Sequence, residues 1–212
     1  MKITIVYDNT THKSNMIDDH GWSCFIETKN RNILFDTGGN GEILIENLIN
    51  LQLDPESIDD IVISHPDFDH IGGLSTFLNS NQKIIIHIPV SFRGIRYPNE
   101  VKYYDKPTKI YENVYLTGEL DKREQSLAIG TKKGLVLFIG CGHPGIRTII
   151  NSISQFGSVY AIIGGLHDFK EFEIIDCIEK ICSAHCTKDK ERIKINFPEK
   201  YIENGVGETI VL

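Results

Sequence analysis

The chain has 212 residues, 41% hydrophobic and 24% charged, with a formal net charge of −7. That length buries a sizeable core within one domain spanning residues 1–212, and the balance of apolar to charged residues excludes a disordered polar chain. With no clustered stripe of Lys and Arg and no apolar run of membrane-spanning length, neither nucleic acid nor membrane is an expected partner.

The first elements read as strands over residues 2–7, 21–28 and 31–35, each apolar or alternating. Residues 2–7 are too short for a signal-peptide core, and the cysteines (Cys24, Cys141, Cys177, Cys182, Cys186) are odd in number. That pattern fits reduced thiols in the cytosol better than a disulfide framework, and it leaves a homodimer open. The third strand runs into Asp36-Thr37-Gly38-Gly39, a sharp turn that leaves Asp36 near other strand ends. There it either supports neighbouring loops by accepting backbone N–H bonds or acts as a further ligand. A helix over residues 41–51 places Ile43, Leu44, Leu48 and Leu51 on one stripe.

The strand over residues 60–64 leads into Ser64-His65-Pro66-Asp67-Phe68-Asp69-His70-Ile71-Gly72-Gly73, two imidazoles and two carboxylates within six residues. An exposed turn capping the next helix is the plain reading of Asp and His here. The chemical reading is half of a metal site, because neutral imidazole and carboxylate ligate zinc, iron and manganese. After the helix that Gly72-Gly73 opens, residues 83–88 form a strand covered on both faces, with His87 packed inside it. Residues 91–109 read as an irregular excursion, in which Arg93 and Arg96 are candidates for gripping an anionic small-molecule substrate.

Strands follow over residues 114–117, 125–129 and 134–139, then a helix over 145–156, a strand over 159–163, a helix over 171–182 and a last strand over 208–212. Strand–helix alternation in both halves implies a layered α/β sandwich. Residues 134–140 deliver Cys141-Gly142-His143, residues 159–165 deliver His167, and His185 follows the next element. Together with His65 and His70, three strand-like ends each carrying a histidine form the candidate constellation, leaving His12, His20 and His87 without a pattern. Cys182, His185 and Cys186 lack the second Cys/His pair of a structural zinc site.

These residues, with Asp36-Thr37-Gly38, Thr117-Gly118-Glu119, Glu124-Gln125-Ser126-Leu127, Gly164-Gly165-Leu166-His167 and His185-Cys186-Thr187, resemble the metallo-β-lactamase fold superfamily, whose signature is His-x-His-x-Asp-His. Within it, they more closely resemble the dihydropterin-ribofuranosylaminobenzene-phosphate synthase-like subgroup. The resemblance implies a four-layer αββα sandwich with two divalent metal ions at one edge. His65, Asp67 and His143 would hold one ion and Asp69, His70 and His185 the other, with a hydroxide between them as nucleophile and Asp69 orienting it.

Asp67 stands where the signature has a second histidine, which keeps iron and manganese beside zinc as candidate metals. The usual bridging Asp is missing, and Cys141, Glu124 and His167 are its candidate replacements, with His167 the first candidate as extra ligand or acid. The segment between Glu119 and Glu124 is short for the subgroup, which reshapes the pocket. The implied function is a metal-dependent hydrolase, or a related phosphoester or pterin-precursor enzyme, acting on a small anionic substrate. The alternatives are a diiron redox or oxygen/nitric-oxide-handling protein and a non-catalytic metal-binding sensor.

Overall fold

Period-two alternation decides which face of each sheet is buried against which layer. The computed structural model describes residues 1–212. One sheet contains β1 (Lys2–Tyr7), β2 (Ser23–Glu27), β3 (Asn32–Phe35), β4 (Asp60–Val62), β5 (Ile85–Pro89), β6 (Val101–Tyr104) and β13 (Thr209–Val211), in the order β13-β1-β2-β3-β4-β5-β6. The other contains β7 (Thr108–Tyr111), β8 (Val114–Leu116), β9 (Leu127–Thr131), β10 (Gly134–Ile139), β11 (Val159–Gly165) and β12 (Lys180–Ala184), in the order β12-β11-β10-β9-β8-β7.

In β10, Val136 and Phe138 face the space between the sheets while Leu135, Leu137 and Ile139 face outward, and β3 divides likewise into Ile33 and Phe35 against Leu34. Helices α1 (Gly41–Asn50) and α3 (Leu74–Ser80) cover the first sheet, with the one-turn α2 (Phe68–Ile71) between them in sequence. Helices α4 (Ile146–Ile153), α5 (Glu173–Asp176) and α6 (Lys190–Asn196) cover the second. The result is an αββα sandwich with one apolar layer between the sheets and one beneath each helical face. Each fully buried Leu, Ile or Phe in these layers stabilises the fold by about 1.5–3 kcal/mol. Helix α1 starts where the Asn40 side chain accepts the N–H groups of Glu42 and Ile43, and it buries Leu44 and Leu48, with Ile43 and Leu51 half-buried.

The stretch β3-β4-β5-β6 is parallel, and so is β10-β11-β12. Their carboxyl ends gather at one edge of the sandwich, the place where parallel sheets present residues to ligands. No helix is long and apolar enough to cross a membrane.

Three expectations are corrected. Residues 171–182 are not one helix: α5 is a single turn, and residues 180–184 form β12, parallel to β11. Ile174, Ile175 and Ile178 pack under the second sheet, after which Ile181 faces outward and Cys182 inward, the alternation of a strand. The excursion over residues 91–109 contains β6 and the start of β7, edge strands whose Lys and Tyr residues carry a weak apolar signal. Helix α6 was not foreseen, since it buries only Ile193.

Candidate metal centre

Three of the candidate residues follow strand ends in a conformation that few residues adopt. Asp36 follows β3 at φ 56°, His167 follows β11 at φ 46° and His185 follows β12 at φ 45°, all in the left-handed region that strains a residue bearing a Cβ. The packing over-determines them: Asp8 Oδ1 accepts the His185 N–H at 3.0 Å, and Ser23 Oγ donates to the Asp36 carbonyl at 2.8 Å. Gly140, at the end of β10, lies so close to the loop after β4 that a Cβ there would sit 2.2 Å from Ser64 Oγ. That approach brings the two sheets together at the edge.

Four imidazoles are fixed through Nδ1. His65 Nδ1 meets Ser64 Oγ at 2.8 Å, His70 Nδ1 meets Asp36 Oδ2 at 2.7 Å, His143 Nδ1 meets Glu124 Oε2 at 2.8 Å and His185 Nδ1 meets Asn9 Oδ1 at 2.8 Å. The other nitrogens face inward, and Nε2 of His65 and of His185 are buried without a hydrogen bond. An orphaned buried nitrogen is costly unless something fills the space before it. Burial, reinforced by His70, holds His65 down to about 4, and burial, reinforced by His185, holds His70 down to about 3, so both rings are neutral at pH 7. Neutral rings anchored at one nitrogen and open at the other are the form that ligates metal.

The open atoms fall into two triads. Ligand atoms of His65, Asp67 and His143 lie within 4.8 Å of one another, as do those of Asp69, His70 and His185. His65 Nε2 to Asp67 Oδ2 is 3.4 Å, His185 Nε2 to Asp69 Oδ2 is 3.0 Å and His70 Nε2 to Asp69 Oδ2 is 3.8 Å. Ligands held about 2.0–2.2 Å from a tetrahedral ion are about 3.4 Å apart, so these separations fit a cation in each triad. The His65 and His70 rings, one from each triad, have centroids 4.1 Å apart. Contact with His185 keeps the Asp69 carboxyl well below the usual range.

The remaining sequence candidates divide. Asp36 is fully buried and accepts Ser64 N–H and Ser64 Oγ, each at 2.7 Å, besides His70, so both its oxygens are used. Burial pushes its carboxyl up to about 7 against the pull of His65 and of the Ser64 bonds. Glu124 is likewise spent: it accepts the N–H groups of Cys141 (3.0 Å), Gly142 (2.9 Å) and His143 (3.0 Å) as well as the His143 ring. Although burial opposes it, the His143 bond and its other partners draw Glu124 down to about 2. Cys141 Sγ is buried 3.3 Å from His70 Nε2 and within 4.8 Å of the ligand atoms of both His65 and His70.

His167 is outside these groups: its side chain is 42% exposed, with its ring 5.3 Å from that of His143. Arg93 turns onto the carbonyls of Val90 and Phe92 and over Tyr103, and Arg96 is exposed; neither has an ion pair or hydrogen bond with the triads. Sequence reasoning missed two mouth residues. His20 Nε2 lies 3.2 Å from Asp69 Oδ2, and Arg123 Nη2 lies 3.0 Å from Asp67 Oδ2. Adjacency to Glu124 was the available signal for Arg123.

The sequence profile of the Metallo-beta-lactamase superfamily matches residues 16–150. A 7,8-dihydropterin-6-methyl-4-(beta-D-ribofuranosyl)-aminobenzene-5'-phosphate synthase of Methanocaldococcus jannaschii is 27% identical, over 98% of this chain and 95% of that protein. An uncharacterised protein of the same organism is 29% identical, over 98% of this chain and 99% of that one. Among solved structures, Tm1679, a metal-dependent hydrolase of the beta-lactamase superfamily, superimposes with a TM-score of 0.81 at 23% identity, covering 100% of this chain and 99% of that one.

Proposed function

This chain belongs to the metallo-beta-lactamase superfamily, and from that premise we propose that it is a metal-dependent hydrolase, or a related phosphoester-handling enzyme, for a small anionic substrate. The observation that carries the proposal is the set of four imidazoles tied at Nδ1 with their Nε2 atoms turned inward, that of His65 buried without a hydrogen bond and that of His185 facing the Asp69 carboxylate at 3.0 Å. His65, Asp67 and His143 would hold one divalent cation, and Asp69, His70 and His185 a second. Nitrogen-rich triads suit zinc, and the two carboxylates extend the choice to iron or manganese. When bound, such ions act as Lewis acids on a substrate oxygen and lower the pKa of water.

The chain's own residues do the rest. Glu124 and Asp36 keep His143 and His70 in the tautomer that bears hydrogen on Nδ1, and Asn9 does the same for His185. Asp69, held ionised, is the carboxylate that orients the attacking water. His167, exposed beside His143, would protonate a leaving atom. The relative from M. jannaschii is named for a 5'-phosphate, which supports an anionic substrate here. Five free thiols support action in the reducing cytosol.

The test is elemental mass spectrometry of purified protein, followed by assays on esters, lactones and phosphodiesters after zinc, iron(II) or manganese loading. About two equivalents of transition metal and turnover of an anionic ester are expected. No retained metal together with no turnover under any loading sinks the proposal.

A further inference from the structure

Arg123 stands apart from the five other arginines by what it holds. Arg31 is engaged by buried Asp60 and the Tyr111 ring, Arg147 by Glu171 and Glu173, and Arg192 lies over Phe172. Arg93 caps carbonyls, and Arg96 makes no bond to the site. Arg123 alone bonds a triad residue, with Nη2 3.0 Å from Asp67 Oδ2.

Its base is rigid. The turn from Leu120 to Glu124 is closed by Leu120 N–H to the Glu124 carbonyl at 2.8 Å and by Arg123 N–H to the Leu120 carbonyl at 3.1 Å. Asp121 and Lys122 adopt φ of 53° and 54°, so two consecutive left-handed residues reverse the chain within the turn. The next residue, Glu124, is locked by three backbone N–H groups and His143. The Arg123 backbone therefore cannot drift from the mouth, while its side chain is 49% exposed and free to turn.

We propose that Arg123 is the residue that recognises the anionic group of the substrate, a phosphoryl or carboxylate oxygen pair. The inference deepens the reading above and rests on it. An exposed ion pair such as Arg123–Asp67 is weak. The Asp67 oxygen that Arg123 bonds is the one 3.4 Å from His65 Nε2, so a cation in that triad draws on the same carboxylate charge. The guanidinium then keeps donors in a planar fork, the geometry that matches phosphate or carboxylate two bonds at a time. The pair thus holds the arginine at the mouth until an anion offers a better partner.

Calorimetric titration of the zinc-loaded protein with inorganic phosphate and with acetate tests this in the wild type, Arg123→Ala and Arg123→Lys, with zinc affinity measured in parallel by chelator competition. Arg123→Ala should weaken anion binding tenfold or more while zinc affinity stays within about threefold, and Arg123→Lys should recover only part, because an ammonium supplies charge without the fork. A larger loss for phosphate identifies a phosphoryl group, and a larger loss for acetate a carboxylate; either supports the assignment. Unchanged anion binding in Arg123→Ala overturns it, as does a fall in zinc affinity that accounts for the whole anion effect, which would leave Arg123 merely positioning Asp67. Wild-type protein that takes up no zinc overturns the metal reading and this inference together, whereas zinc uptake with anion binding indifferent to residue 123 overturns this inference alone.

Discussion

Two buried histidine–aspartate pairs, one within the first sheet and one beyond its strand ends, differ in what their second nitrogens meet. His87, inside β5, is saturated: Nε2 meets Asp60 at 2.8 Å and Nδ1 meets the Tyr104 hydroxyl at 2.9 Å. Asp60 is also held by Tyr111 at 2.7 Å and Arg31 at 3.2 Å, so the cluster ties the first sheet to the edge of the second. His70, beyond the end of β4, has the same kind of partner at Nδ1, Asp36 at 2.7 Å, yet its Nε2 faces Cys141 and Asp69. The lesson is that a carboxylate beside an imidazole does not make a candidate metal ligand; an open second nitrogen does, and whether it is open depends on a place in mid-strand or in the loops and short helix beyond the strand ends.

The comparison breaks most visibly at His87. His87→Ala leaves the Asp60 carboxylate buried with fewer partners, and a cost of about 3–5 kcal/mol is expected from denaturant titration, with metal bound per folded molecule unchanged. His65→Ala should do the reverse: metal affinity falls on the order of 100-fold or more in chelator competition, while the metal-free protein loses only about 1–2 kcal/mol, since Nε2 of His65 bonds nothing in the fold. If both variants damage stability equally and spare metal, the distinction between the two kinds of histidine is wrong. Asp36→Asn sharpens the contrast, because it alters the anchoring of His70 directly and that of His65 through Ser64; roughly 10–100-fold weaker metal binding is expected.

The smallest effect is that of pH on the metal-free protein. Unfolded histidine takes up its proton near 6.5, whereas folded His65 and His70 resist until about 4 and 3, so in between the unfolded state binds more protons and stability falls as pH falls. Asp36, raised to about 7, keeps a proton in the fold that an unfolded Asp releases above 3.8 and works in the opposite sense. For these three groups the balance is about one proton, a loss of roughly 1.4 kcal/mol on acidification from about pH 6 to 5, and below that Glu124, drawn down to about 2, adds in the same direction. Stepped-pH urea titrations check it; a flat profile would show that the two effects cancel.

Much of the centre was legible because its residues follow apolar strand runs, and strand ends in a parallel sheet converge by topology. His65, Asp67, Asp69, His70, His143 and His185 carry that signal on their own segments, and the structure brings them together. The roles of Asn9, His20 and Arg123 were not readable, because each depends on a turn that places it against a residue from another segment. His167, a candidate ligand or acid, follows the same kind of strand end and shares the left-handed backbone of His185, yet its ring is 42% exposed and outside both triads. The boundary between α5 and β12 was hidden by isoleucines that suit either a helical or a strand period until the sheet selects one.

Gly140 carries no chemistry, yet its missing side chain leaves room for Ser64, whose hydroxyl bonds both Asp36 and His65. In a survey of every single substitution, position 140 should score as badly as the histidines. A map of mutational intolerance on this molecule would therefore outline the centre one residue too widely, and a search for catalytic groups guided by such a map would need to set aside the position whose contribution is empty space.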